Sequence, residues 1–238
     1  MKVVVIGVHG PAFSGKDEIL KLLKTLAPKD TVVIEARFAD PMYEMLRPLL
    51  PLVILSSDMP KEEKHKPRPE LGGLSIRQAL IAVGEGFRGF QADAWCQMLV
   101  ERMFDQIDDV PFNKSVVVIC PDLRRENEAW ALREIPQRET PLTLRISPVN
   151  SPVNEHHHGA TESPIPRQPR DVEIINDHAK GLPAYWRSIV WALAGSLSPS
   201  DLGVVLDAAT PMGDADALAK FVAERRAPVN GEAVGAQA

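Results

Sequence analysis

Val3-Val4-Val5-Ile6, followed by Gly10-Pro11-Ala12-Phe13-Ser14-Gly15-Lys16-Asp17 and then by Ile19, Leu20, Leu22, Leu23 and Leu26, is the stretch that decides the fold. A β-branched run reads as a buried strand, apolar residues spaced three and four apart read as a helix, and a loop with glycines at both ends joins them. The loop fits G-x-x-x-x-G-K-[ST] at every position but the last, where Asp17 replaces the hydroxyl residue. In such a loop successive backbone N–H groups turn inward around phosphate oxygens and the lysine reaches the β- and γ-phosphates. The helix N-terminus adds partial positive charge. Phe13, Ser14, Gly15, Lys16, Asp17 and Glu18 are therefore expected to bind a nucleotide, the alternative being a glycine-rich turn that merely exposes a lysine.

A chain of 238 residues suits one sizeable α/β core better than two full domains. Its formal net charge of −5 and pI near 5.7 argue against nonspecific binding of nucleic acid and fit a small anionic ligand better. Cys96 and Cys120 sit far apart in apolar runs, with neither disulfide nor metal-ligand spacing. No apolar segment is long enough to span a bilayer, and no secretory leader precedes the first strand. A reducing cytoplasm is the expected location.

Further strands are expected at Thr31 to Ile34, Val116 to Cys120 and Leu142 to Ile146, with helical segments between most of them. That alternation implies an α/β fold, a parallel sheet flanked by helices, with chemistry at the carboxyl ends of the strands. Residues 56–73 and 147–170, rich in proline and charge, read as mobile loops or lids. The second contains His156, His157 and His158, which lack the spacing of metal ligands. Beyond about Ser198 the composition promises little burial: a loosely attached helix near 215–226 and a disordered end. Trp186, Ile189, Val190 and Leu193 suit either core or a homodimer interface, with core preferred.

Val116-Val117-Val118-Ile119-Cys120-Pro121-Asp122 is an apolar strand ending in a carboxylate that could meet a metal beside the loop, although Asp122 is equally a helix starter. Arg124 two residues on favours a ligand site. Asp17 could hold Mg²⁺ directly, hold it through a water, or orient an acceptor. Ser75-Ile76-Arg77-Gln78 reads as a capping box, which puts Arg77 in a first helical turn where its charge opposes the helix dipole. Arg77 thus faces an anion or is neutralised by Glu70 or solvent. Trp95 reads as core in preference to a base-stacking platform.

Taken in chain order, these residues resemble the deoxynucleoside monophosphate kinases of bacteriophages, a branch of the P-loop kinases. Gly10 to Asp17 is similar to the family's S-G-K-D form of the loop. Phe38-Ala39-Asp40-Pro41 is similar to its acceptor segment after the second strand. Ser75 to Gln78, Val83-Gly84 and Asp93-Ala94-Trp95 look like its arginine helix, L-G-T turn and D-x-x-W element. Pro121 to Arg124 with Glu128 resembles its D-x-R-x-x-x-E block, and His158 to Glu162 with Ile175-Asn176-Asp177 its lid and closing strand. The turn departs from the family at Glu85, which stands in place of threonine.

The resemblance covers about residues 1–195, with 196–238 a C-terminal helix and tail. It implies a three-layer P-loop kinase fold with a helical region for the monophosphate and a small lid at about 147–170. The implied reaction moves the γ-phosphoryl of ATP to a (deoxy)nucleoside 5′-monophosphate with Mg²⁺. Lys16, Arg124 and a lid arginine, Arg167 or Arg170, would neutralise developing charge, while Asp17 and Asp122 organise the metal and the acceptor. Arg77 would contact the acceptor phosphate. Ala39, Asp40, Pro41, Met42, Gly84, Trp95 and Glu162 would line the acceptor site. Alternatives are a P-loop kinase for another acceptor, such as a modified base in DNA or a dephospho-coenzyme A-like nucleoside, and a non-catalytic nucleotide-binding module.

Overall fold

The β-branched runs become strands because apolar residues on both faces can be buried only inside a layered sheet. The computed structural model describes residues 1–11, 14–51, 53, 55, 56, 59–137, 139–150 and 165–226. Ala12 and Phe13 of the loop, the histidine tract, Glu162 and the chain from 227 lie outside them. The strands are β1 (Val3–His9), β2 (Thr31–Glu35), β3 (Ser115–Leu123), β4 (Leu142–Val149) and β5 (Asp171–Asp177). They form one sheet in the order β2-β3-β1-β4-β5, and every neighbouring pair is parallel. β4 runs three residues past the expected Ile146, so Ser147 to Val149 belong to the sheet and not to a lid. Pro148 is tolerated there because β1 pairs with β4 only as far as Arg145, leaving the strand a neighbour on one side alone.

The helices are α1 (Lys16–Leu26), α2 (Asp40–Leu46), α3 (Lys61–His65), α4 (Ile76–Phe90), α5 (Ala94–Asp108), α6 (Glu126–Ala131), α7 (Gly181–Ser196), α8 (Pro199–Val205) and α9 (Ala215–Arg226). Val4, Ile6 and Val8 point to one face of the sheet, where α1, α7, α8 and α9 pack. Val5 points to the other, where α5 and α6 pack. The result is three layers. Trp186, Ile189, Val190 and Leu193 are buried in the first core, as preferred, and Cys96 and Cys120 are buried free thiols in the second. Among the described residues no helix is long and apolar enough to cross a membrane.

Two expectations are corrected. Residues 56–73, as far as they are described, hold α3, a 3₁₀ turn at Pro69–Leu71 and a bridge from Pro67 to Ser75. Met59 and Leu71 pack on a satellite core of Tyr43, Leu46, Leu50, Leu55, Ile76 and Ala79, so the segment is fastened to α2 and α4. The C-terminal helices likewise bury more than their composition promised. Val204, Val205 and Leu206 join the core beside α1 and α7, and Leu218 and Val222 are wholly buried there. A sparse apolar content suffices when residues four apart share one helix face. Leu218→Ala should therefore cost about 2–5 kcal/mol in urea unfolding; a loss under about 1 kcal/mol would mean that α9 is only loosely held.

Candidate functional site

β1 exits toward β2 while β4 exits toward β5 in the opposite direction, so their connections diverge and leave a crevice at the carboxyl ends of β1 and β4. The glycine loop lies at that crevice. Gly15 has φ +96°, a left-handed conformation, and immediately precedes α1, whose first residue is Lys16. A Cβ on Gly15 would meet Asn176 Nδ2 at 2.7 Å and Tyr185 Cε1 at 3.0 Å, while one on Gly10 would meet Ser14 Oγ at 2.8 Å and Ile146 O at 3.0 Å. Both glycines of the pattern are thus required by close approach. Lys16 Nζ folds back over the loop, donating to Gly10 O at 2.5 Å and Pro11 O at 2.7 Å. Ser14 Oγ is buried without a hydrogen-bond partner, an orphan that an anion oxygen would satisfy. Asp17 is exposed in the first turn of α1. Glu18 accepts from Trp186 Nε1 at 3.0 Å and from Arg226 at 3.1 Å, which ties α7 and the end of α9 to the same turn.

β3 brings the second group alongside. His9 pairs with Leu123 in register, and His9 Nδ1 lies 3.0 Å from Leu123 O. Asp122 is inside β3, which removes the helix-starter reading; the residue before α6 is Arg125. Arg124 Nε and Nη2 donate to Asp122 Oδ2 at 2.8 and 2.5 Å, so the aspartate and arginine form one unit at the strand end. The backbone beneath them is held by Glu128, whose Oε2 accepts from the N–H groups of Arg124 at 2.7 Å and Arg125 at 3.2 Å.

Glu128 is 3% exposed, and burial pushes its carboxyl above the ordinary value, with the two amides and Arg88 pulling back only in part. The folded chain therefore holds this proton to higher pH than the unfolded chain does, and stability falls as pH rises between the two values. Glu128→Gln keeps an oxygen acceptor and removes the charge, so urea unfolding followed from about pH 4 to 7 should lose that downward component. Parallel wild-type and variant profiles would contradict it.

The helical side of the site converges on the same strand end. Met42 lies against Gly84, where an added Cβ would be 3.3 Å from its sulfur, and buried Trp95 donates to Gly84 O at 3.0 Å while packing on Phe87. Met42, Gly84 and Trp95 are thus brought together, with Trp95 in the core. Ala39, Asp40 and Pro41 open α2 just after β2, and burial raises the Asp40 carboxyl despite nearby Arg102 and Arg37. Glu85 pairs at 2.9 Å with both Arg88 and Arg125, and Arg88 also reaches Glu128 at 3.7 Å. These pairs join α4 to the turn after β3. Sequence reasoning passed over Arg88, whose partners are distant in the chain. The capping box forms as expected, with Ser75 N–H on Gln78 Oε1 at 2.8 Å and Gln78 N–H on Ser75 Oγ at 3.3 Å. Arg77 is exposed beside it, and no ion pair with Glu70 forms.

The two arginines expected in the lid separate. Arg167 pairs with Glu173 at 3.0 Å, and Glu173 also accepts from Ser147, one residue past the Ile146 that flanks Gly10. Arg170 precedes β5 at the amino edge of the sheet, bonded to Thr140 O, Ser196 O and Glu139, so the structure does not bring it to the loop. Among the described residues no group of three or more His, Cys, Asp or Glu is placed to hold a metal. Neither protein-family models nor curated proteins give a match to the chain.

Proposed function

We propose that the protein transfers the γ-phosphoryl of ATP to a (deoxy)nucleoside 5′-monophosphate. The observation that carries this reading is the left-handed Gly15 loop with Lys16 at its crest, set in the crevice beside the Asp122–Arg124 unit. Phosphoryl transfer asks a protein chiefly for positioning and positive charge around the transferred group, and the loop amides, Lys16 and Arg124 supply both. The parallel sheet and the convergence of α2, α4 and α5 on the same end support a P-loop kinase fold with a separate acceptor region. There Arg77 would meet the acceptor phosphate and Ala39 to Met42 its nucleoside. Of the segment expected as a lid at about 147–170, β4 takes 147–149 and the amino edge of the sheet takes Arg170, so Arg167 would be the cation it contributes.

Mg²⁺ binds through one or two carboxylates plus substrate phosphates, so Asp17 and Asp122 are the hard oxygen donors that would hold it, and the orphaned Ser14 hydroxyl would suit a phosphate oxygen. Bound there, Mg²⁺ would neutralise charge on the β- and γ-phosphate oxygens. The test is ADP formation from Mg-ATP across a panel of ribo- and deoxyribonucleoside monophosphates. Turnover that depends on one or more acceptors is expected. Turnover indifferent to every acceptor, or none, would favour a binding module.

A further inference from the structure

We propose that Asn176 and Tyr185 are positioning residues that set the direction of the loop's phosphate-binding N–H groups; the inference rests on the nucleotide reading above. Asn176, 6% exposed at the end of β5, donates from Nδ2 to Ser14 O at 2.9 Å. Tyr185, in the first turns of α7, donates its hydroxyl to Gly15 O at 3.3 Å, an oxygen that also accepts from Glu18 N–H at 3.1 Å. A trans peptide points its C=O and the following N–H to opposite sides, and the described chain contains no cis bond. Fixing Ser14 O toward Asn176 therefore turns the Gly15 N–H away from the protein, and fixing Gly15 O toward Tyr185 does the same for Lys16 N–H. These two amides then face the crevice before any ligand arrives.

The two side chains also fill the space beneath Gly15, since they are the groups an added Cβ would strike. A carbonyl can only accept, so the residue at 176 must donate, and an aspartate of equal size cannot. Burial and the Glu18 charge push the Tyr185 phenol upward, which keeps its hydroxyl a donor. The device couples β5 and α7 to a loop more than 160 residues earlier in the chain.

The test compares wild type, Asn176→Ala, Asn176→Asp and Tyr185→Phe in two measurements. The first is hydrogen exchange of the peptide spanning residues 14–18 in the protein without nucleotide. The second is KM for Mg-ATP and for the acceptor, measured separately. Asn176→Ala should speed exchange of that peptide and raise KM for ATP about 10-fold, with acceptor KM within about twofold, since one buried hydrogen bond is lost. Asn176→Asp should do more, because it sets a carboxylate against a carbonyl. Tyr185→Phe keeps the ring beneath Gly15 and should raise KM for ATP about 2–4-fold, which tests the clamp even if the Asn176 variants fail to fold. Unchanged exchange, or equal rises in both KM values, would overturn the inference while leaving the kinase reading intact. Wild type that binds no ATP would sink the kinase reading, and the exchange result alone would then decide the clamp.

Discussion

Lys16→Ala is expected to lower kcat/KM for phosphoryl transfer by about 10³-fold while changing stability by only about 1 kcal/mol. The lysine ammonium is the one positive side-chain charge in the Gly10–Asp17 loop, and it already sits on the carbonyls of Gly10 and Pro11. Incoming phosphate oxygens, being fully charged, compete successfully for those donors because charge-assisted bonds are about twice as strong as bonds to neutral oxygens. Removing the ammonium frees the carbonyls of Gly10 and Pro11, at part-buried bonds that water can replace, so the fold should survive. Steady-state kinetics with thermal unfolding of the same samples checks both halves. A variant with more than a tenth of wild-type kcat/KM would place the phosphates elsewhere.

Gly15→Ala should be the most damaging single change to the loop. At φ +96° any side chain is strained, and here the added carbon also falls 2.7 Å from Asn176 Nδ2 and 3.0 Å from Tyr185 Cε1. Strain and overpacking each cost about 1–3 kcal/mol, so a total of about 2–6 kcal/mol is expected. For a chain of this size each kcal/mol lowers Tm by about 2–4 °C. ATP binding should fall along with stability, because relief of the clash moves the Ser14 and Gly15 carbonyls. By contrast, Gly86→Ala meets nothing within 4 Å and serves as the control for glycine replacement in general. Equal effects of the two substitutions, by differential scanning calorimetry, would contradict this account.

The loop was legible in the sequence because each part of it is local: a β-branched strand, glycines at fixed offsets, a lysine, and an amphipathic helix within two dozen residues. The Ser75–Gln78 capping box was legible for the same reason. Asp122 was not, since an aspartate after an apolar run can end a strand or start a helix; the pairing of His9 with Leu123 carries β3 past it. Strand order is equally invisible to local reading, because each of the parallel crossovers is a long connection that any neighbour could receive. Leu218 and Val222 were passed over for their sparse setting, though they are the fully buried residues of α9. Arg170 misled in the other direction. Its place in a proline- and arginine-containing stretch suggested a lid, but the start of β5 carries it to the amino edge of the sheet.

Asn176 and Tyr185 show the same limit at the site itself. Nothing local marks an asparagine at a strand end or a tyrosine in a helix as a partner of the glycine loop, and only the folded sheet places them beneath Gly15. The site is therefore assembled from three parts of different visibility: a loop apparent in sequence, a strand-end Asp122–Arg124 unit half apparent, and a supporting clamp and Glu85–Arg88–Glu128 network that only tertiary contacts disclose.

The most direct test of the central claim follows the phosphoryl group. Mg-ATP labelled in its γ-phosphoryl is incubated with the protein and each nucleoside monophosphate in turn, and the products are separated. The account predicts label in the diphosphate of at least one acceptor, equimolar with ADP and formed about 10³-fold more slowly by Lys16→Ala. Label that stays in ATP with every acceptor, or that appears only as inorganic phosphate, would contradict it.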